Sequence, residues 1–245
     1  MIKILLALSV SAMLFSTGVL AKEAVASHEV HWDYEAHGPA HWDEFSTLCA
    51  KGKIQSPINI ITKKTQHSEN NNSLILSENV TALDTIADNG HSIQVTVDHG
   101  GSITANGIEY KLVQFHFHGR SEERINGKQY DLVAHMVHKS AEGNIAVVAI
   151  LFNKGKKPSP LLQKVLDNVG KVASINPAQL LPKHTNHYFH FKGSLTTPPC
   201  SENVQWYVMR EVQSATKAQI KAMRAYHNDN YRPVQPLNGR VVESQ

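Results

Sequence analysis

Cysteine is scarce in this chain: Cys49 and Cys200 are the only two in 245 residues. An even pair in an exported chain favours a disulfide, and two free buried thiols are the alternative. Charge of one sign is also lacking, with 24 Lys and Arg against 21 Asp and Glu and a formal net charge of +3. No particular partner follows from so weak a balance. Lys63-Lys64 and Lys154-Gly155-Lys156-Lys157 are short, carry no interleaved aromatics and read as solvated turns, which argues against nucleic-acid binding. Beyond the first twenty residues no apolar run is long enough to cross a bilayer, and no repeat or linker divides the chain.

The single long apolar run lies at the start, from Ile4 to about Leu20 after the basic Lys3, and it ends in Val19-Leu20-Ala21. A basic start, an apolar core and small residues before the cut describe a secretory signal peptide, residues 1–21. Ala24-Val25-Ala26 offers a second cleavage site, and the run is short for an uncleaved anchor. The expectation is one domain over residues 22–245, periplasmic or secreted, with no membrane span once the signal is removed.

Residues 22–30 read as a flexible lead. His28, His31, His37 and His41 are interleaved with Trp32, Tyr34 and Trp42, a composition that suits packing onto a body better than metal scavenging. Residues 62–73 are polar and turn-rich, a surface loop. Asn71-Asn72-Ser73 and Asn79-Val80-Thr81 have the glycosylation pattern, relevant only in a eukaryotic secretory host. From Asn89-Gly90 onward short strands recur: Ser92 to Asp98, around Ile103, Tyr110 to Phe117, Tyr130 to Val137 and Ile145 to Phe152. The last is apolar throughout, as a central strand covered on both faces would be. Ser159-Pro160 opens a helix whose Leu161, Leu162, Val165, Leu166 and Val169 repeat at helical spacing until Gly170, and a second helix is expected from about Ser214 to Tyr226. The fold class is mainly β (α+β), one domain with peripheral short helices.

Chemistry concentrates in Gln114-Phe115-His116-Phe117-His118. Alternation puts His116 and His118 on one face of a strand, and the turn-prone Asn126-Gly127 suggests an antiparallel neighbour that brings His135 beside them. A lone His-x-His is more often hydrogen-bonded or exposed than ligating. Three imidazoles with a fourth position left to water are the pattern of a catalytic zinc, whereas a structural zinc is normally closed by four protein ligands, often Cys.

The ordered motifs Gln55-Ser56-Pro57-Ile58-Asn59-Ile60, Asn89-Gly90-His91, Gln114 to His118, Ser121-Glu122, His135-Met136-Val137-His138, Gly193 to Cys200 and Arg232-Pro233-Val234-Gln235-Pro236 make the chain resemble the α-class carbonic anhydrases from about Trp32 to Val241. The resemblance implies a large, twisted, mostly antiparallel sheet with Zn2+ at the bottom of a conical cleft, held by His116, His118 and His135. It implies reversible hydration of carbon dioxide to bicarbonate and a proton by zinc-bound hydroxide. Thr196 and Glu122 would orient the nucleophile, Thr197 would line the substrate side, and His91 would shuttle the proton. Val137, Val147, Leu195 and Trp206 would form an apolar wall for the substrate, and Tyr34, Asn89 and Gln94 would organise water. Gln114 would stand behind the first ligand. Sulfonamides and anions would inhibit, and a homodimer, as among bacterial relatives, is compatible with the resemblance.

Two positions depart from the family pattern. Where the family has Glu two residues before the third ligand this chain has Val133, and where it has His after the buried glutamate this chain has Glu123. The pair suggests that Glu123 supplies His135 with its carboxylate, the alternative being a solvated acid in Glu122-Glu123-Arg124. Two other readings of the whole remain open: a noncatalytic zinc-holding module on the same fold, and a zinc hydrolase of esters.

Overall fold

The computed structural model describes residues 31–68, 75–77, 83–98 and 100–245. The expected signal peptide, His28 and both glycosylation sequons lie outside the described residues. Eight strands carry the architecture: β1 (Leu83–Asp88), β2 (Ile93–Thr96), β3 (Ile108–His118), β4 (Leu132–Lys139), β5 (Ile145–Lys154), β6 (Lys171–Ser174), β7 (Tyr188–Ser194) and β8 (Glu202–Met209). They order as β6-β1-β2-β3-β4-β5-β8-β7 in one large twisted sheet, which two-residue edge strands at Glu243–Ser244 and Gln66–His67 extend.

Side-chain parity along these strands divides the interior into two apolar layers. Phe115 and Phe117 of β3, Ala134 and Met136 of β4, and Val148, Ile150 and Phe152 of β5 pack on one face. Val133 of β4, Val147, Ala149 and Leu151 of β5, and Val204, Trp206 and Val208 of β8 pack on the other. Hence β5 is apolar at successive positions, while β3 alternates and turns His116 and His118 away from its two phenylalanines. Burying each such phenylalanine contributes roughly 1.5–3 kcal/mol, so the strand's twist and register are held from the face opposite the histidines.

The sheet is more mixed than the alternating strands suggested. Most neighbours are antiparallel, yet β5 pairs in parallel with β8 and, through its end, with Gln213–Ala215. Asn126-Gly127 turns a small ribbon of Arg124–Ile125 and Lys128–Gln129, not a hairpin directly joining β3 and β4. Both turn residues have positive φ, 51° and 81°, which suits Asn followed by Gly. The ribbon still returns the chain antiparallel to β3.

Helix α1 (Pro160–Asp167) begins as expected, with Ser159 Oγ accepting from the Leu162 N–H, and it ends before Val169. Helix α2 (Lys217–Tyr226) starts later than Ser214 because Thr216 and Gln219 form a reciprocal capping box, which keeps Thr216 extended. The expected loop at 62–73 contains a 3-10 turn at Thr62–Lys64 and the edge strand Gln66–His67.

Trp32 and Tyr34 pack edge-on against the fully buried Trp42, so this aromatic segment is packed on the body. Cys49 and Cys200 form the disulfide, 151 residues apart in sequence. Closing so long a loop restricts the unfolded chain, and replacing both cysteines by alanine is expected to lower stability by about 3–5 kcal/mol in denaturant titration. An unchanged unfolding midpoint would show that the bridge adds nothing.

Candidate active site

The register of β3 against β4 places His135 directly opposite His116 and Val133 opposite His118. Parity then brings the rings of His116, His118 and His135 onto one face, with centroids 4.7–5.5 Å apart. One ring nitrogen from each lies within 4.8 Å of the others, the one such cluster among the described residues.

The remaining ring nitrogens are tied to oxygen acceptors. His116 Nδ1 is 2.9 Å from Gln114 Oε1, His118 Nδ1 is 2.6 Å from the Asn230 carbonyl, and His135 Nε2 is 3.1 and 3.2 Å from the two Glu123 oxygens. An acceptor requires a proton on the nitrogen facing it. This leaves lone pairs on His116 Nε2, His118 Nε2 and His135 Nδ1. His118 Nε2 is buried without a hydrogen-bond partner among the described residues. Burial holds all three imidazoles below their ordinary pKa, hence neutral. Three convergent neutral nitrogens, one an orphaned buried lone pair, fit a zinc ion with an open fourth position.

Glu122 stands against the cluster, with Oε2 at 3.5 Å from His118 Nε2 and 3.7 Å from His135 Nδ1. Its other oxygen accepts the Arg232 backbone N–H at 2.7 Å, and the Thr196 hydroxyl donates to the same carboxyl. Burial first, and the Glu123 charge second, push the Glu122 pKa well up, against these hydrogen bonds. A cation among the imidazoles would draw it back down. Thr196 is buried, whereas Thr197 and His116 are half-exposed, so the open side of the site runs past them.

The four expected wall residues share one apolar cluster: Val147 and Trp206 are buried in it, and Val137 and Leu195 pack against it. The Trp206 ring meets His135 edge-on at 5.0 Å. Asn89 hydrogen-bonds Gln94 at 3.3 Å, and its side-chain oxygen accepts the His91 N–H. His91 stacks on Trp32 at 3.8 Å. Tyr34 lies near enough to Glu122 for burial and then that charge to push its phenol well up.

Sequence reasoning missed two residues that assemble the site. Asn230 accepts His118 Nδ1 through its carbonyl, accepts the Gly119 N–H at 2.6 Å, and donates to the His91 carbonyl at 2.8 Å. Gly119 makes room for this junction, since a Cβ there would stand 2.6 Å from the His227 carbonyl and 3.3 Å from Asn230 Oδ1. Arg232, whose backbone holds Glu122, also donates to Gln55, the Ser56 carbonyl and the Cys49 carbonyl. The available signal was the Arg232-Pro233 motif itself, which lacks any obvious chemistry of its own.

A mainly β domain with three neutral imidazoles open on one side defines a mononuclear zinc centre of the catalytic kind. The model of the eukaryotic-type carbonic anhydrases matches residues 37–245. A carbonic anhydrase of Pectobacterium carotovorum is 38% identical over 231 residues, covering 89% of this chain and 93% of its own. One from Nostoc sp. is 39% identical over 253 residues, covering 97% and 94%. The structure of the α-carbonic anhydrase from Thermovibrio ammonificans with the inhibitor sulfanilamide superposes with a TM-score of 0.79 at 38% identity, covering 87% of this chain and 98% of that one. Dioscorin, solved with ascorbate, superposes with a TM-score of 0.77 at 31% identity, covering 88% and 98%. The chain belongs to the eukaryotic-type, or α-class, carbonic anhydrase family.

Proposed function

We propose that this protein catalyses the reversible hydration of carbon dioxide to bicarbonate and a proton at a zinc ion held by His116 Nε2, His118 Nε2 and His135 Nδ1. The convergence of three imidazoles, each fixed in one tautomer by an acceptor on its far side, supports the reading most. A fold does not by itself carry an activity, so the reading rests on this site and not on the architecture. Zinc bound by neutral ligands makes water in its open position acidic near neutral pH, as is established for carbonic anhydrases, and so supplies hydroxide as a nucleophile.

The chain's own residues do the rest. Glu122, held by the Arg232 N–H, accepts a hydrogen bond from the Thr196 hydroxyl, so the Thr196 oxygen is left to accept a hydrogen bond from the attacking oxygen. That fixes the direction of its free lone pair. Carbon dioxide is apolar and rests on Val137, Val147, Leu195 and Trp206, while Thr197 faces the developing bicarbonate. Gln114 and Glu123 hold ligand rings, and Tyr34, Asn89 and Gln94 order water toward His91.

His91 carries the proton out. Burial, then the nearby His227, lower its pKa from the ordinary 6.5 against the pull of Asp33 and Asp88. Only the neutral ring can accept a proton, so maximal turnover rises through a titration below pH 6.5 and levels off above it. His91→Ala is expected to lose up to ~10²-fold in weak buffer and to recover when imidazole is added. A pH profile unchanged by the substitution would remove His91 from the path.

Residues 1–21 act as a cleaved signal peptide ahead of a catalytic domain over residues 22–245, and the enzyme works in the periplasm or outside the cell. The disulfide supports that reading, and no helix among the described residues is long and apolar enough to cross a membrane. Aromatic sulfonamides inhibit, as sulfanilamide does the Thermovibrio relative. Stopped-flow hydration by residues 22–245, with zinc measured on the same sample, tests the function: rapid hydration that disappears with the metal supports it, and bound zinc without hydration sinks it.

A further inference from the structure

His135 needs an acceptor behind it, and its own strand does not provide one. Val133 sits two residues earlier on β4, on the same face, fully buried among Ile58, Ile60, Tyr130 and Val147. It offers no oxygen. Glu123, from the segment that follows β3, is also fully buried and brings both carboxyl oxygens to 3.1 and 3.2 Å from His135 Nε2. A carboxylate with no solvent access is retained at substantial cost unless it is paired. The hydrogen bond to Nε2 is made by Oε2, Oε1 has no hydrogen-bond partner among the described residues, and no lysine or arginine lies within ion-pair distance of the carboxylate there. The imidazole is therefore its partner. On the opposite edge of the ring Nδ1 faces the ligand cluster, 3.7 Å from Glu122.

We propose that Glu123 is the positioning residue for the third zinc ligand: by accepting from Nε2 it fixes the His135 tautomer and commits Nδ1 to the metal. The acceptor comes from the loop after β3 and not from the ligand's own strand, where the apolar Val133 stands two residues before His135. The inference rests on the zinc reading of the site. Its consequence is reciprocal: a carboxylate placed at position 133 would reach the same ring edge, because residues 133 and 135 share a face. Val133 and Glu123 should accordingly be coupled in any substitution series.

Three variants test this: Glu123→Ala, Glu123→Gln, and the exchange Glu123→His with Val133→Glu. Zinc affinity is measured by competition with a chelating indicator. The His135 tautomer is measured by nitrogen NMR on the metal-free protein, a readout that a merely structural role would not move. In Glu123→Ala zinc affinity falls about 10–100-fold and the His135 signal departs from the pure Nε2–H form. Glu123→Gln keeps an acceptor oxygen in place and loses less than Glu123→Ala. The exchange variant returns to within a few-fold of the parent protein. Affinity and tautomer unaltered in Glu123→Ala would overturn the proposal, as would an exchange variant that folds but binds zinc as weakly as Glu123→Ala. If the parent protein binds no zinc, the functional reading fails, while the tautomer measurement still decides whether Glu123 governs His135.

Discussion

Replacing His116 with alanine is expected to abolish zinc retention through a desalting column and to reduce carbon dioxide hydration to the buffer rate, with little change in thermal stability. Of the three clustered histidines, His116 alone is half-exposed, and its partner Gln114 is half-exposed as well. Truncation there leaves a gap at the open side of the site. It does not orphan a buried carbonyl, as loss of His118 would do to Asn230. Dividing the roughly 10–16 kcal/mol of a four-ligand structural zinc evenly gives about 3 kcal/mol per ligand, hence an affinity loss of at least ~10²-fold. Chelation followed by added zinc should restore the parent protein and leave His116→Ala inactive at the same metal concentration. Full hydration by a zinc-free His116→Ala protein would place the chemistry elsewhere.

Local patterns in the sequence revealed those parts of the site that depend on parity and register. Phe115 and Phe117 alternate with the histidines, so one face of β3 announces itself as core and the other as the site. His135 follows from an antiparallel neighbour. The cysteine count anticipated the disulfide. Local patterns could not reveal contacts that depend on distant chain crossings: the Asn230 carbonyl reaches a ligand 112 residues away, and the Arg232 N–H reaches Glu122 across 110. Neither group has a side-chain signature, because both bonds use the backbone of residue 230 or 232. The parallel pairing of β5 with β8 escaped for a related reason. An apolar run reveals that both faces are covered but not which strand lies alongside or in which direction.

Thr196→Val should lower kcat/KM about 10²-fold while zinc content stays at the parent level. The substitution keeps the shape and removes only the hydroxyl, so the metal ligands and the apolar wall are undisturbed. What is lost is direction: without the Thr196 oxygen nothing restrains the hydrogen of the attacking oxygen. Glu122→Gln should act on the same step, because an amide that donates toward Thr196 no longer specifies which way the hydroxyl points. The two residues are joined by the Thr196 hydroxyl bond to a carboxyl that is itself pinned by the Arg232 N–H. They therefore behave as one device, and the double variant should lose no more than the worse single one. Losses that multiply in the double variant would mean that Thr196 and Glu122 act separately. In that case Glu122 would contribute through its charge beside His118 and His135, and the zinc content of Glu122→Gln would fall along with its rate.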